Sequence, residues 1–417
     1  MAKFKKDLQF YKFSAYGFLK NLRFFDPYII LFFLEVGISY VEIGILFSIR
    51  EIATNFLELP TGIIADSIGR RRSMIFSFLS YIISFIIFYF FPGFYYYIIA
   101  MIFFSFGEAF RTGTHKAMIL TYLKIKGISD LKVYYYGYTR SASQLGSAVS
   151  SLIALSIVFL RGSYRIVFLA SIVPYILELF LMMSYPKELD GDVKKFEKSF
   201  FKEVWERSLE TTKAFFSIFR DKLIMKSLLT SSVFSGLYKG TKDYIQPLLK
   251  YYVLSLPILL SLTKEKRTMV MVGIVYFFIY LMTSYTSKKS GPFSKRVKSV
   301  ARGINLTFLV GVGLFFLSGL FLLLKLYFLS IIFFISIFIL ENLRKPLNVG
   351  YISDKIALKI MATGLSGESQ LKTIFSAGFS FAMGVLVQYL GLSYGIIILA
   401  AFTLTLYPLL KLPENQG

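Results

Sequence analysis

Residues 58–74 read ELPTGIIADSIGRRRSM, a short basic turn caught between two long apolar segments, Val41 to Ala65 and Ser73 to Phe91. Gly62 and Gly69 frame Asp66, and Arg70, Arg71 and Arg72 follow at once. Gly69 permits a tight turn that a residue with a Cβ resists. Arginines between apolar runs hold such a turn at an anionic membrane surface.

Outward from this turn the chain stays apolar. Its 417 residues are 56% hydrophobic with a mean hydropathy of +0.63, too apolar for a domain whose surface faces water. A spanning helix needs about 20 mostly apolar residues, because lipid offers no partner to an unpaired backbone amide. The pattern places spans at Lys12 to Gly37, Val41 to Ala65, Ser73 to Phe91, Phe94 to Leu120, Val133 to Leu160 and Tyr164 to Tyr185. A second set follows at Leu223 to Gln246, Thr268 to Ser287, Arg302 to Leu324, Leu326 to Gly350, Ser366 to Tyr389 and Ser393 to Leu410. The expectation is an all-α, multi-pass protein of the cell membrane with twelve transmembrane helices in two six-helix bundles. The stretch LSLPILLSL, Leu254 to Leu262, is open to a re-entrant or peripheral turn.

The net charge of +23 would suggest nucleic acid in a soluble protein. Here the charges lie in short connections on alternate sides, so no nucleic-acid partner is expected. Lys3, Lys5, Lys6, the Arg70 turn, Lys124, Lys126, Lys288 and Lys289 fall on one side; the loops around Ser39, Pro92 and Gly391 carry no Lys or Arg. The positive-inside rule makes the charged side, and both termini, cytoplasmic, facing an anionic inner leaflet. Lys264, Lys266 and Arg267 are exceptions to this sorting. Zero Cys excludes disulfides and thiolate metal sites, and a lone His115 cannot form a histidine metal cluster. No GxxxxGK[ST] phosphate loop occurs, so neither ATP drive nor any other cofactor is expected. The basic N-terminus lacks a small-residue cleavage site after a short apolar core, which makes the first helix a retained anchor.

Residues 186–222 form the only long charged segment, giving the division 1–185 (first bundle), 186–222 (cytoplasmic linker) and 223–417 (second bundle). Phe201, Val204, Trp205, Leu209, Thr212, Phe216 and Phe219 recur at helical spacing, as in an amphipathic helix on the inner leaflet or a plain packed linker. The halves echo one another: Glu108-Ala-Phe-Arg111 is matched by Glu341-Asn-Leu-Arg344 at the corresponding place. Arg140-Ser141 precedes Gly146 as Lys372-Thr373 precedes Gly378. Two parallel repeats about an axis along the membrane normal would produce this.

Gly62-x-x-x-Asp66-x-x-Gly69-Arg70-Arg71 resembles the loop between the second and third helices of major facilitator superfamily transporters, and the twelve-span layout extends the likeness along the chain. The resemblance implies a latch in which Asp66 sits near the start of the eleventh helix, here Ser366 to Gln370, favoured by its dipole. The family often has a basic residue after this Asp, where this chain has Ser67. A plain topogenic turn is the alternative. The fifth span reads RSASQLGSAVSS, unlike the Gly-Pro-rich pattern of many drug–proton antiporters of the family.

Ionisable residues inside spans cost about 3 kcal/mol each on insertion scales and therefore face a cavity or a partner. Arg23 and Asp26 stand three apart in the first span, with Pro27 available to bend it; Arg50, Glu51, Asn55 and Glu58 lie in the second. Asp26, Glu51 and Glu108 are candidates for proton coupling, since a carboxyl in a poorly solvated cavity can titrate near the working range. A structural Arg23–Asp26 pair is the competing possibility. Arg23, Arg50, Asn55, Arg111, Arg140, Glu341 and Arg344 are candidates for the substrate cavity, as gate or as fixed brace. Lys239, Lys242, Asp243 and Gln246 either attract an anionic solute or snorkel at a loop end. Glu178 and His115 have no evident partner in sequence.

The function expected is secondary active transport of a small organic solute by alternating access, coupled to protons, with export of an amphipathic or anionic compound favoured. The alternatives are a passive facilitator or an importer of a sugar, amino acid or carboxylate. From another class comes a membrane sensor or enzyme on a transporter scaffold; no nucleophile motif accompanies the carboxylates, so no enzyme is expected. The partners are solute, protons and lipid, with the chain a monomer.

Overall fold

The computed structural model describes residues 6–129, 132–191, 193, 202, 205–206, 209, 222–296, 299–355 and 361–413, and every regular element among them is helical. Most of the charged segment 186–222, with its expected amphipathic helix, lies outside the described residues.

The first expected span is not one helix. Helix α1 covers Leu8–Leu19, a 3-10 turn covers Asp26–Tyr28, and α2 covers Ile29–Glu35. Pro27 has no N–H to give to Arg23 O, so a continuous helix would lose a bond there. The chain instead closes i→i+3 bonds, Asp26 N–H to Arg23 O at 3.1 Å and Tyr28 N–H to Phe25 O at 3.0 Å. Next come α3 (Tyr40–Ile68), α4 (Arg70–Phe90), α5 (Phe94–Arg111), α6 (Thr114–Ile125), α7 (Lys132–Arg161) and α8 (Ile166–Met183). The fourth expected span is thus divided between α5 and α6, where Gly113 takes φ +76.

The seventh span breaks in the same way as the first. Helix α9 (Lys222–Thr241) leads through a 3-10 turn, Lys242–Tyr244, into α10 (Ile245–Ser255). Pro247 lies in the first turn of α10, where its missing N–H has no intrahelical acceptor anyway. Helix α10 runs on to Ser255 instead of stopping at Gln246, and residues 256–263 are a non-helical connection. The remaining helices are α11 (Lys264–Arg296), α12 (Val300–Leu323), α13 (Tyr327–Lys355), α14 (Met361–Leu390), α15 (Leu392–Thr405) and α16 (Tyr407–Leu410). Among the described residues, 7 helices are long and apolar enough to cross a membrane.

By internal contacts the chain divides into two units. The first comprises 1–32, 53–205 and 272–281; in it α4 packs on α5 and α8, and α1 packs on α7. Its interior is aromatic: the Phe168 ring lies 4.6 Å from that of Phe88 and 5.5 Å from that of Phe25. The second comprises 33–52, 206–271 and 282–417, with α9 against α14 and α12 against α13 and α15. Residues 40–48 of α3 touch α14 within this unit. A Cβ on Gly384 would fall 2.4 Å from the Tyr40 carbonyl oxygen, so only glycine lets the backbones meet. Ser48 Oγ adds a hydrogen bond to Ala377 O at 2.7 Å.

Candidate functional site

The basic turn has a specific anchor. Gly69 takes φ +92 at the start of α4 and abuts Asp190, whose Cγ would lie 2.9 Å from an added Cβ. The Arg71 N–H donates to Asp190 Oδ1 at 2.7 Å, and its guanidinium reaches Asp190 Oδ2 at 3.3 Å and the Tyr185 carbonyl at 2.8 Å. Arg70 donates to Thr121 Oγ1 at 2.7 Å. Asp66 is exposed on the last turn of α3; a Cβ at Gly62 would meet nothing within 4 Å, so no close helix approach is made there. Asp190→Ala should cost about 1.5 kcal/mol, the low end for bonds to charged groups, because Arg71 and Asp190 are 18% and 17% exposed. The thermal midpoint of the purified protein checks this. At the same edge, Asp7 caps α1 by accepting from Phe10 N–H at 2.9 Å, and it also accepts from Tyr122 OH. Burial beside this carboxylate pushes the Tyr122 phenol up.

Deeper in the first unit, Glu108 of α5 is shared by two guanidiniums, Arg23 from the broken first helix and Arg111 one turn along α5. Residues 20–25 are not helical; the Arg23 carbonyl accepts from the Asp26 N–H at 3.1 Å, Asp26 acts on the Arg23 charge, and the Arg23 guanidinium pairs with Glu108. Arg111 Nε also donates to Tyr81 OH at 3.3 Å, and the Arg23 guanidinium lies 5.7 Å from the centre of the Phe104 ring. Arg111 stands in the last turn of α5, where a cation complements the helix dipole. Two guanidiniums share this one carboxylate, with Asp26 also acting on Arg23, and Arg23, Glu108 and Arg111 each keep about a fifth of their surface accessible (22%, 18% and 19%). Asp26, half-buried, opens the 3-10 turn beside them. His115 stacks on Tyr16 at 3.5 Å and meets Tyr185 OH through Nε2 at 3.1 Å, a packed position.

The second unit holds another cluster. Glu51, only 4% exposed, pairs with Lys239 of α9 and with Arg50 at 3.2 Å. Lys242 pairs with Asp243 at 3.1 Å in the break between α9 and α10, and both Asp243 and Gln246 are buried. The two carboxylates and Gln246 are buried, while Lys239 and Lys242 keep about a third of their side chains accessible (37% and 32%). Sequence alone did not give Glu51 and Lys239 as partners, since they lie 188 positions apart.

The echoed residues of α13 behave differently from their first-half counterparts. Arg344 is fully buried and donates to the Ile304 and Thr230 carbonyls at 3.1 and 3.2 Å. Its guanidinium lies 4.6 Å from the Phe234 ring centre and 5.2 Å from that of Phe308. Glu341 instead accepts from Ser235 Oγ at 2.7 Å. Arg140 is exposed on α7, and Asn55 is half-buried on α3. Among the described residues no group of three or more His, Cys, Asp or Glu could hold a metal.

The sequence profile of the Major Facilitator Superfamily matches residues 18–366. The chain belongs to that superfamily. As a member it is a transporter and not an enzyme, and a multi-pass protein of the cell membrane. No curated protein matches it. Among solved superfamily structures, a variant of the nucleoside transporter NupG is similar at 14% identity and TM-score 0.76, over 96% of this chain and 97% of that one. A POT family transporter in complex with a thioalcohol-conjugated peptide is similar at 15% identity and TM-score 0.73, over 96% and 94% of the two chains. The same values hold for a POT family transporter in complex with 5-aminolevulinic acid. At these identities the superfamily likeness to the solved structures is one of fold.

Proposed function

We propose that this chain is a proton-coupled secondary active transporter of a small organic anion, working by alternating access. The observation that carries this reading is the Arg23–Glu108–Arg111 group: two guanidiniums on one carboxylate, partly accessible, and built at a break in a helix. Discontinuous helices at corresponding places in two repeats are where transporters of this architecture place solute and coupling ion. Here the breaks are residues 20–28 and 242–244. That the similar structures are described with nucleosides, peptides and 5-aminolevulinic acid supports a small polar organic solute.

Twelve spans, cytoplasmic termini, and bundles at 1–185 and 223–417 joined by 186–222 complete the proposal. Arg23, Arg50, Asn55, Arg111, Arg140, Glu341 and Arg344 are its cavity candidates, with fully buried Arg344 as a gate or a fixed brace. Asp26, Glu51 and Glu108 are its proton-site candidates, though Glu51 and Glu108 are committed to ion pairs and serve better as parts of a gate. The turn Gly62, Asp66, Gly69, Arg70 and Arg71 acts as a latch favouring the outward-facing state. Asp66→Asn should then slow transport severalfold without preventing membrane insertion; wild-type flux through a correctly folded variant would discard the latch.

A thermal-stability screen of the purified protein against organic anions, cations and neutral solutes tests the solute class. A ligand at about 100 times its dissociation constant should stabilise the fold by about 2.7 kcal/mol. Hits confined to neutral or cationic solutes would overturn the anion assignment.

A further inference from the structure

Glu178 of α8 is 0% exposed, and neither of its carboxyl oxygens has a hydrogen-bond partner. The Lys20 main-chain N–H, which acts on Glu178, is given to the Tyr16 carbonyl at 3.1 Å. A buried carboxylate is costly unless paired and hydrogen-bonded. Glu178 has no ion pair among the described residues, yet it sits beside charge. Lys20, at the end of α1, and Arg111, on α5, are the cations acting on it. Tyr16 of α1 and Tyr185 just beyond α8 face it as phenols, and His115 of α6 lies behind Tyr16 and Tyr185. Helix α4 brings Tyr81, bound to Arg111; α7 brings no charged group into this set.

We infer that Glu178 is the proton-binding site of the transporter, and that a proton on Glu178 and an organic anion at Arg23 and Arg111 bind cooperatively. The inference rests on the transport reading above. With Glu178 ionised, three cations (Lys20, Arg23, Arg111) are opposed by Glu108 and Glu178, and Asp26 acts on Arg23 as well. When Glu178 takes a proton from water, its carboxylate becomes a neutral carboxyl that can donate one hydrogen bond, and one negative charge is lost from opposite the three cations. The extra positive charge favours an anion, and by linkage a bound anion favours the proton. Cooperative binding of both ligands is the condition for symport. An inward proton gradient would therefore drive uptake, opposite to the export expected from the sequence.

Infrared difference spectra of the full chain in lipid, stepped between about pH 5 and about pH 8, read protonated carboxyl groups directly. A carboxyl C=O band should be present in the wild type, in Asp26→Asn and in Glu51→Gln, and absent in Glu178→Gln. A band that persists in Glu178→Gln, or no band in the wild type, overturns the assignment. Lys20→Gln guards against misfolding of the Glu178 variant: losing the neighbouring cation should move the band's pH midpoint upward, and an unmoved midpoint contradicts the coupling. Sulfate, whose charge is constant over this range, serves as the anion probe. Its apparent affinity, read by thermal shift, should rise about tenfold from the higher to the lower pH in the wild type. In Glu178→Gln it should stay at the higher affinity throughout. A pH-independent wild type overturns the cooperativity. If no organic or inorganic anion binds at any pH, the anion reading of the function falls, while the infrared band still decides the proton site.

Discussion

Glu108→Gln is expected to abolish transport and to lower the stability of the purified protein by about 3 kcal/mol, at the lower end for removing one partner of a buried ion pair. Glu108 is the shared counter-ion of Arg23 and Arg111, and an amide cannot offset two guanidiniums that stay four-fifths buried (22% and 19% exposed). That residual exposure keeps the expected loss from being larger, because water solvates part of each side chain. The gap left between the two cations would also recruit anions indiscriminately, so solute would be bound without being released. Adding Arg23→Gln to Glu108→Gln removes one of the unpaired cations and should recover part of the stability, though not transport. Thermal unfolding of the single and double variants, with flux in proteoliposomes, gives both readings. A Glu108→Gln protein with the midpoint and flux of the wild type would show that the three side chains do not act as a unit.

Arg344→Ala should be at least as damaging to stability, about 3–5 kcal/mol, with a different cause. Arg344 has no accessible surface, fills space between Phe234 and Phe308, and holds two carbonyls of neighbouring helices. Alanine removes the volume, the ring contacts and both hydrogen bonds. Arg344→Met restores most of the volume without the buried charge and should cost much less, since replacing a buried ion by an apolar chain of similar size is often tolerated. Lysine keeps the charge but loses the planar fork that serves two carbonyls at once. Per folded molecule, Arg344→Met should transport normally if Arg344 is a brace; flux lost at normal stability would return it to the gate. Expression and thermal midpoint of the three variants order these costs, and an Ala variant as stable as Met would contradict the packing argument.

The basic turn made the fold legible. Gly69 and the arginines after it, flanked by apolar runs, are local signals, and the structure forms α3 and α4 on either side with Gly69 at positive φ. Partners were less legible, because helical spacing predicts neighbours on one helix while burial selects them from several. Arg23 and Asp26 are three apart, but α1 has ended at Leu19, so no α-helix runs through both, and the Arg23 guanidinium pairs with Glu108. The pairs Glu108/Arg111 and Glu341/Arg344 match in sequence. They diverge in structure because Ser235 takes Glu341 while Phe234, Phe308 and two carbonyls take Arg344. Asp190 as anchor of Arg71 was invisible, since nothing local links a loop acid to a turn so far back in the chain. Glu178 did leave a trace, a lone acid in the apolar run ILELFLMM, without any hint of what faces it.

Coupled movement of an anionic solute and a proton can be read in proteoliposomes loaded with a pH-reporting dye and containing the full chain. Mono- and dicarboxylates, sulfonates and phosphate esters are added outside in turn. At least one anion should acidify the lumen on addition and accumulate there when an inward proton gradient is imposed. Anions that cross without moving the internal pH, or that bind without crossing, would contradict it.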